Sequence, residues 1–500
     1  MPHRSHEPVA PDQILSIVAM RAAEAALIAG GETVETLMAK AGQGAAEYVW
    51  RMAGGRSVTV LCGPGNNGGD GYVIAEVLRG RGVNVAVIAP HPPATDAAQA
   101  AAAGYAGPVL PAEAARSGSV FVDALFGVGL TRPLEDADAA LIARLAVAHS
   151  HVVAVDVPSG VDADTGNWLT KTPPRYDLTV ALGAWKPAHA LMPAVAGMGA
   201  LRLVYIGVVE MGTTPDAPFG PGRMLRAPRT IDAPASDAHK YSRGCLAVVA
   251  GRMAGAAVLA ARAAQGAGAG YVRIAADRPL PAPADLVVSA EALDDARNTA
   301  VLCGPGLGRD AGAEARLQAA IDAVLALRTP LVLDADALML LRPKHLAGRN
   351  GLLPQRLGAV VLTPHEGELV ALEKAWGLKG ATVHGVASCK VARAIALAEA
   401  TGAVVVAKGP DTIIAAPGGY GATPWIAHAG ASSWLSTAGT GDVLAGCIAS
   451  RLACGAGPFA AAAQGVWLQS EAAHLAGPAF HAMQLAEHVP LALAQAIRAA

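Results

Sequence analysis

The chain has 500 residues, too many for one ordinary hydrophobic core; at about 150 residues per domain it should fold as two to four. Hydrophobic residues make up 53% of it, with Gly 57 and Pro 34, which excludes disorder as a main theme and points to a compact chain with many tight turns. Lys+Arg 38 against Asp+Glu 40 leaves a net charge of -2, so no overall basic field would recruit nucleic acid or an anionic membrane surface.

The 6 cysteines are scattered without metal-ligand spacing, and Cys62, Cys245 and Cys303 sit in apolar runs where buried thiols are usual. A reducing cytoplasm fits that pattern. The stretch from Pro2 to Pro8 lacks the basic-then-apolar order of a secretory signal and reads as a loose tail. Arg252, Arg262 and Arg451 interrupt the alanine-rich runs, which fall short of the ~20 apolar residues of a membrane span. Small-molecule partners are expected, with no nucleic acid and no membrane.

In chain order, residues 14–30 and 34–50 have helical periodicity, with Met20, Arg21 and Glu24 on the first helix. A β-rich run, 57–62, then enters a loop, 63–71, that carries Gly63, Gly65, Gly68, Gly69 and Gly71 with Asn66, Asn67 and Asp70. A helix is expected over 72–81. Strand, glycine loop and helix in that order bare backbone amides for an anion at a helix start, although the spacing is neither the Rossmann fingerprint nor a P-loop. Residues 119–125 form a strand ending near Asp123 and spilling into Gly127, Val128, Gly129, Leu130, Thr131, Arg132 and Pro133. Another, 151–155, ends at Asp156, with Ser159 just beyond.

In a parallel doubly wound sheet these loops share the C-terminal edge, so Asn67, Asp123 and Ser159 are expected to converge. Oxygen ligands of that kind suit a hard cation, though each residue singly serves as a turn or cap. A strand at 178–182 precedes Gly183, Lys186, Pro187 and His189, and another is expected at 200–206. From 211 to 236 the chain turns Pro- and Gly-rich without periodicity, which reads as a linker. The boundaries expected are a first domain at 1–212, a linker at 213–236 and a second domain at 237–500.

The second half repeats the alternation of strand and helix, so the fold class is α/β with two domains. Its strands also end in polar loops: Gly304 to Arg309, Asp334 and Asp336, Thr363 to Glu368, and Lys408 to Thr412. The last is Gly439, Thr440, Gly441 and Asp442, where the aspartate opens an apolar helical run. A helix start holds a phosphate on free amides, and an aspartate there can take a proton from an attacking hydroxyl; the plain alternative is a helix cap.

Together these motifs resemble a known family. Residues 63–71, Asp123, 127–132 and 156–160 are similar to NAD(P)H-hydrate epimerase domains. His239 to Gly244, Gly304 to Gly308, Thr363 to Glu368, Lys408 with Gly409, and Gly439 to Asp442 are similar to ADP-dependent NAD(P)H-hydrate dehydratases of the ribokinase-like superfamily. The resemblance implies two three-layer α/β/α domains, the first Rossmann-like. It also implies repair of hydrated nicotinamide cofactors, with ADP as co-substrate, a potassium ion and, as expected for nucleotide chemistry, magnesium.

Residue by residue, the family pattern implies potassium at Asn67, Asp123 and Ser159. Hydrate contacts fall at Asn66, Asn67, Gly68, Gly69, Asp70, Gly127, Val128, Gly129, Leu130, Thr131, Arg132 and Pro133, with Asp156 in acid-base work. In the second half, Ala256, Gly308 and His365 would meet the hydrate, and Lys408, Gly409, Pro410, Asp411, Thr412 and Gly441 the nucleotide. Asp442 would face the reacting hydroxyl, and a homo-oligomer is expected. Ala438 and Leu475 depart from the usual glycines, which bears on nucleotide positioning. A ribokinase-like small-molecule kinase fused to a non-catalytic binding domain is the competing reading.

Overall fold

The apolar runs that end in glycine-rich or acidic loops become strands of two sheets. A computed structural model describes residues 12–209, 212, 214–225, 231–346, 359–378, 382–383, 386–387, 389–418 and 425–499. The expected loose tail at 1–11 lies outside the described residues. Contacts divide the chain into a unit of Met1–Met224 with Val383–Cys389 and a unit of Leu225–Thr382 with Lys390–Ala500.

The first unit is built on β1 (Val58–Cys62), β2 (Val85–Ile88), β3 (Val109–Leu110), β4 (Gly118–Ala124), β5 (His149–Val155), β6 (Leu178–Leu182) and β7 (Ala200–Val204). They run parallel in the order β3-β2-β1-β4-β5-β6-β7, so the winding reverses between β1 and β4. Alternate side chains leave opposite faces. Val120, Val122 and Ala124 join the core shared with helices Val34–Ala53 and Asn66–Gly80, whereas Phe121 packs with Leu141, Ile142 and Leu145 of helix Asp136–Val147. Helices cover both faces, so the strands read as unbroken apolar runs.

The glycine loop differs from expectation. Helix Asn66–Gly80 starts six residues before the expected 72, capped by Gly65, so Asn66 and Asn67 stand on its first turn. Each glycine costs a helix about 1 kcal/mol relative to alanine. Close packing demands them here: a Cβ on Gly68 would lie 1.9 Å from the Gly63 carbonyl oxygen, and one on Gly71 would press Ala124 and Cys62. The supposed linker also holds structure, since Gly222–Met224 pairs antiparallel with Gln13–Ile14. Three residues are too few for periodicity to reveal.

The second unit contributes β8 (Cys245–Val249), β9 (Tyr271–Ala275), β10 (Val287–Ser289), β11 (Ala300–Cys303), β12 (Leu331–Leu333), β13 (Val360–Leu362), β14 (Val404–Ala407), β15 (Asp411–Ala415) and β16 (Trp425–Ala429). Their order is β16-β15-β14-β13-β12-β11-β8-β9-β10, parallel up to β14 and antiparallel through β15 and β16. Asp411 and Thr412, read as loop, therefore begin a hairpin strand, because a polar strand start resembles a turn. One face packs on helices Ala254–Gly266, Thr440–Ala453 and Pro458–Ala476 through Leu246, Val248, Ile274, Leu302 and Val406. No helix among the described residues is long and apolar enough to cross a membrane.

Candidate active sites

The loops after β1, β4, β5 and β6 leave the same edge of the first sheet, where parallel strands present their carboxyl ends. A cavity of about 590 Å³ opens there, lined by Asn66, Asn67, Asp70, Gly127 to Leu130, Arg132, Asp156 and Lys186. Gly68 and Gly69 are instead turned into packing, against the Gly63 backbone and the Met38 side chain. Thr131 and Pro133 stand outside the lining.

Asp156 follows β5 with φ 64, a left-handed conformation that aspartate tolerates better than most residues. Its carboxylate accepts from Lys186 Nζ at 2.5 Å and from the Leu182 amide at 3.1 Å. Lys186 is 1% exposed and also donates to the Leu182 carbonyl at 2.6 Å, so the buried ammonium is held in place. His189 secures the backbone. Its Nδ1 accepts from the Lys186 amide at 2.9 Å, which leaves the proton on Nε2 to donate to the Asp156 carbonyl at 2.7 Å. Burial, with the Lys186 charge adding, lowers its pKa to about 4, so the ring stays neutral. Sequence reasoning assigned neither residue a role, although both follow the end of β6, where Lys186 lines the cavity and His189 is buried behind it.

Asp123 and Ser159 converge as expected. Ser159 Oγ donates to Asp123 Oδ1 at 2.6 Å, and Tyr176 and the Ser159 and Leu125 amides also donate to that carboxylate. Asp123 is fully buried with no cationic side chain paired to it among the described residues, and burial raises its pKa against these donors. The Nδ2 atom of Asn67 is buried without a partner, and a Cβ on Gly127 would lie 3.1 Å from the Asn67 amide carbon. The buried carboxylate and hydroxyl of Asp123 and Ser159 are oxygen donors of the kind a hard cation takes, whereas the orphaned atom of Asn67 is an N–H donor.

In the second unit, Asp442 stands on the first turn of helix Thr440–Ala453, whose cap Gly439 has φ 92. Gly439, not Asp442, holds the cap position, and among the described residues the Asp442 carboxylate has no hydrogen-bond partner. Burial and the charge of Asp334 raise its pKa to about 7, against the opposing pull of Lys408. Lys408 Nζ donates to Asp334 Oδ1 at 2.7 Å and lies 3.9 Å from Glu368 Oε2, and a Cβ on Gly441 would be 3.5 Å from it. The lysine therefore overhangs the free amides at the helix start.

The remaining expected contacts divide. Gly308 donates its amide to Asp336 at 2.9 Å, and Ala256 lies part-buried beside Gly306. His365 caps helix Glu366–Ala375, its Nδ1 accepting from the Glu368 amide at 3.2 Å while the side chain stays 60% exposed. Asp411 is taken by Lys390 at 2.6 Å, and Thr412 Oγ1 donates to the Gly409 carbonyl at 2.9 Å, so both brace the hairpin that presents Lys408, Gly409 and Pro410. Asp334 and Glu368 lie in loops read from the sequence as polar strand ends but were given no role there; Asp334 follows β12, and Glu368 stands on the first turn of helix Glu366–Ala375.

A family model described as YjeF-related protein N-terminus matches residues 34–188, and one described as NAD(P)H-hydrate dehydratase matches 246–492. A bifunctional NAD(P)H-hydrate repair enzyme from Gloeobacter violaceus is 36% identical over 383 residues, covering 70% of this chain and 73% of that protein. The chain belongs to the bifunctional NAD(P)H-hydrate repair enzyme family. The repair enzyme of Mycobacterium tuberculosis is 35% identical over 371 residues, covering 71% of this chain and 74% of its own. Among solved structures, the Bacillus subtilis ADP/ATP-dependent NAD(P)H-hydrate dehydratase co-crystallized with ATP/Mg2+ is 26% identical. It covers 53% of this chain and 95% of its own, with TM-score 0.42. Within this repair-enzyme family the cavity at Asp156 belongs to the epimerase unit and the Asp442 cluster to the dehydratase unit.

Proposed function

We propose that the first unit interconverts the R and S hydrates of NADH and NADPH, and that the second dehydrates the S form at the expense of ADP, giving AMP and phosphate. The observation that carries this reading is Asp442. It is an uncapped carboxylate at a helix start beside Lys408, with its pKa near the pH at which it must work. Asp442 takes the proton of the ring hydroxyl as that oxygen attacks the terminal phosphate of ADP. Lys408 and the amides at Gly441 and Asp442 gather the charge that builds on the phosphate oxygens. The phosphorylated hydroxyl then departs as phosphate, pushed out by the ring nitrogen lone pair, and the neighbouring ring carbon releases its proton to solvent, which restores the dihydronicotinamide double bond.

In the first unit, Asp156 moves the proton of the hydroxyl on the hydrated carbon, and the buried Lys186 holds its carboxylate in place at 2.5 Å. Asn67, Asp123 and Ser159 would hold a potassium ion that neutralises the buried charge under the substrate loop. Magnesium travels with the nucleotide phosphates, the enzyme is cytoplasmic, and it assembles as a homo-oligomer. The test supplies mixed R and S NADH hydrate with ADP or ATP and follows recovery of NADH absorbance. Full recovery with ADP is expected. No recovery with either nucleotide sinks the dehydratase assignment, and recovery that stalls once the S form is consumed sinks the epimerase assignment.

A further inference from the structure

The cavity at Asp156 is roofed by a helix that no assignment above uses. Helix Ile17–Ala29 presents Ile17, Met20, Arg21, Glu24 and Ile28 to the cavity, the i, i+3, i+4, i+7 spacing of a single helix face. Apolar neighbours make the face read as ordinary core, yet Glu24 and Arg21 interrupt it where a purely structural stripe would continue apolar. The helix lies before the segment 34–188 matched by the family model.

The helix is fixed to the reacting centre at two points. The Ile17 amide donates to the Asp164 carboxylate at 2.8 Å, and the Leu15 amide donates to the Trp185 carbonyl at 2.8 Å, one residue before Lys186. Glu24 faces Lys186 and Asp156 from the sheet, Asp70 from helix Asn66–Gly80 and Arg21 on its own helix, with Arg132 also in the lining. Among the described residues it has neither a hydrogen-bond partner nor an ion-pair partner. Lys186, the nearest competitor for its charge, is already engaged by Asp156 at 2.5 Å. Burial raises its pKa, Lys186 and Arg21 oppose the rise, and Asp156 adds to it. The lining thus holds three carboxylates: Asp156, paired with Lys186, and Glu24 and Asp70, which have no hydrogen-bond or ion-pair partner among the described residues and are both raised by burial, with Glu24 the one carried on the roof helix.

Resting on the epimerase reading of this unit, we propose that Glu24 is its second proton carrier, working opposite Asp156. Water adds to the enamine double bond so that the hydroxyl sits on the carbon bonded to the ring nitrogen. Asp156 takes the hydroxyl proton as the carbon–nitrogen bond breaks. The bond's electron pair goes to nitrogen, which receives the Glu24 proton, and the oxygen becomes a carbonyl. After rotation the nitrogen lone pair attacks the other carbonyl face. The proton on nitrogen returns to Glu24, Asp156 returns its proton to oxygen, and the opposite epimer leaves with no net oxidation or reduction.

The test measures R-to-S conversion of NADH hydrate by the full-length enzyme and by its Glu24→Gln and Glu24→Leu variants, with thermal unfolding of each. Glu24→Leu continues the apolar face and so guards against a merely misfolded Gln variant. Both variants are expected to lose about a hundredfold in kcat with KM nearly unchanged, and the alkaline limb of the wild-type pH profile should vanish. A fall of at least tenfold in kcat in a folded variant supports the assignment. A smaller fall, a loss confined to KM, or an alkaline limb that persists overturns it while leaving the epimerase reading intact. A wild-type enzyme that converts no R hydrate overturns both.

Discussion

Asp442 must be ionised to accept a proton, so dehydration should rise with pH through about 7. Asp334 is the charge that most raises this pKa, and it also occupies Lys408. Asp334→Asn therefore removes a repulsion and frees a cation, and the acidic limb of kcat/KM should move to lower pH. A limb that stays in place would show that another group sets it. The same carboxylate bears on stability. Between the unfolded value of 3.8 and about 7 the folded state holds a proton that the unfolded chain has lost, so stability falls as pH rises through that window. Asp442→Asn abolishes that penalty, and at pH 8 it should stabilise the second unit by on the order of 2 kcal/mol, read from chemical unfolding.

Lys186 is the counterpart in the first unit. Removing one partner of a buried pair leaves the other uncompensated, so Lys186→Met should cost about 3 kcal/mol, measured as lost unfolding free energy, and should impair epimerisation. How far single residues were legible depended on whether their chemistry was local. Asp442, with a glycine on either side of its threonine, announces a helix start to anyone reading the chain. Lys186 lies thirty residues from Asp156 and acts only because β5 and β6 pair side by side, which no local pattern records.

At the scale of elements, the glycines define the sites by what they keep away. Gly68→Ala would drive a methyl group to 1.9 Å from the Gly63 carbonyl, between a helix and a strand end that cannot both shift. It should destabilise the first unit by about 3 kcal/mol and lower epimerase activity with it. The strands were legible because buried parallel strands must be apolar throughout, whereas the helix start was misplaced because helix propensity forbids glycine and packing here requires it. β15 was hidden for the opposite reason: Asp411 looks like a turn residue until Lys390 neutralises it.

For the whole molecule, a cavity at Asp156 in one unit and the Asp442 cluster in the other, with different chemistry, predict separable activities. Asp442→Ala should abolish nucleotide-dependent recovery of NADH while R and S hydrates continue to equilibrate, followed by chromatography of the epimers. Loss of both in a folded protein would contradict that separation. The alternation of strands and helices made the division into α/β units legible, but the pairing that ties residues 13–14 to 222–224 was not, because it joins two segments over two hundred residues apart.

That pairing bears on where the first unit should be cut. Gln13–Ile14 immediately precedes the segment that holds helix Ile17–Ala29, and its antiparallel partner is Gly222–Met224, with Arg223 Nη1 at 2.5 Å from Asp12 Oδ1. A fragment cut at 212 would leave this clasp with one jaw, and the cavity roof would be the first part to loosen. A fragment that runs to Met224 keeps both jaws, so whoever isolates the epimerase half should cut after the clasp.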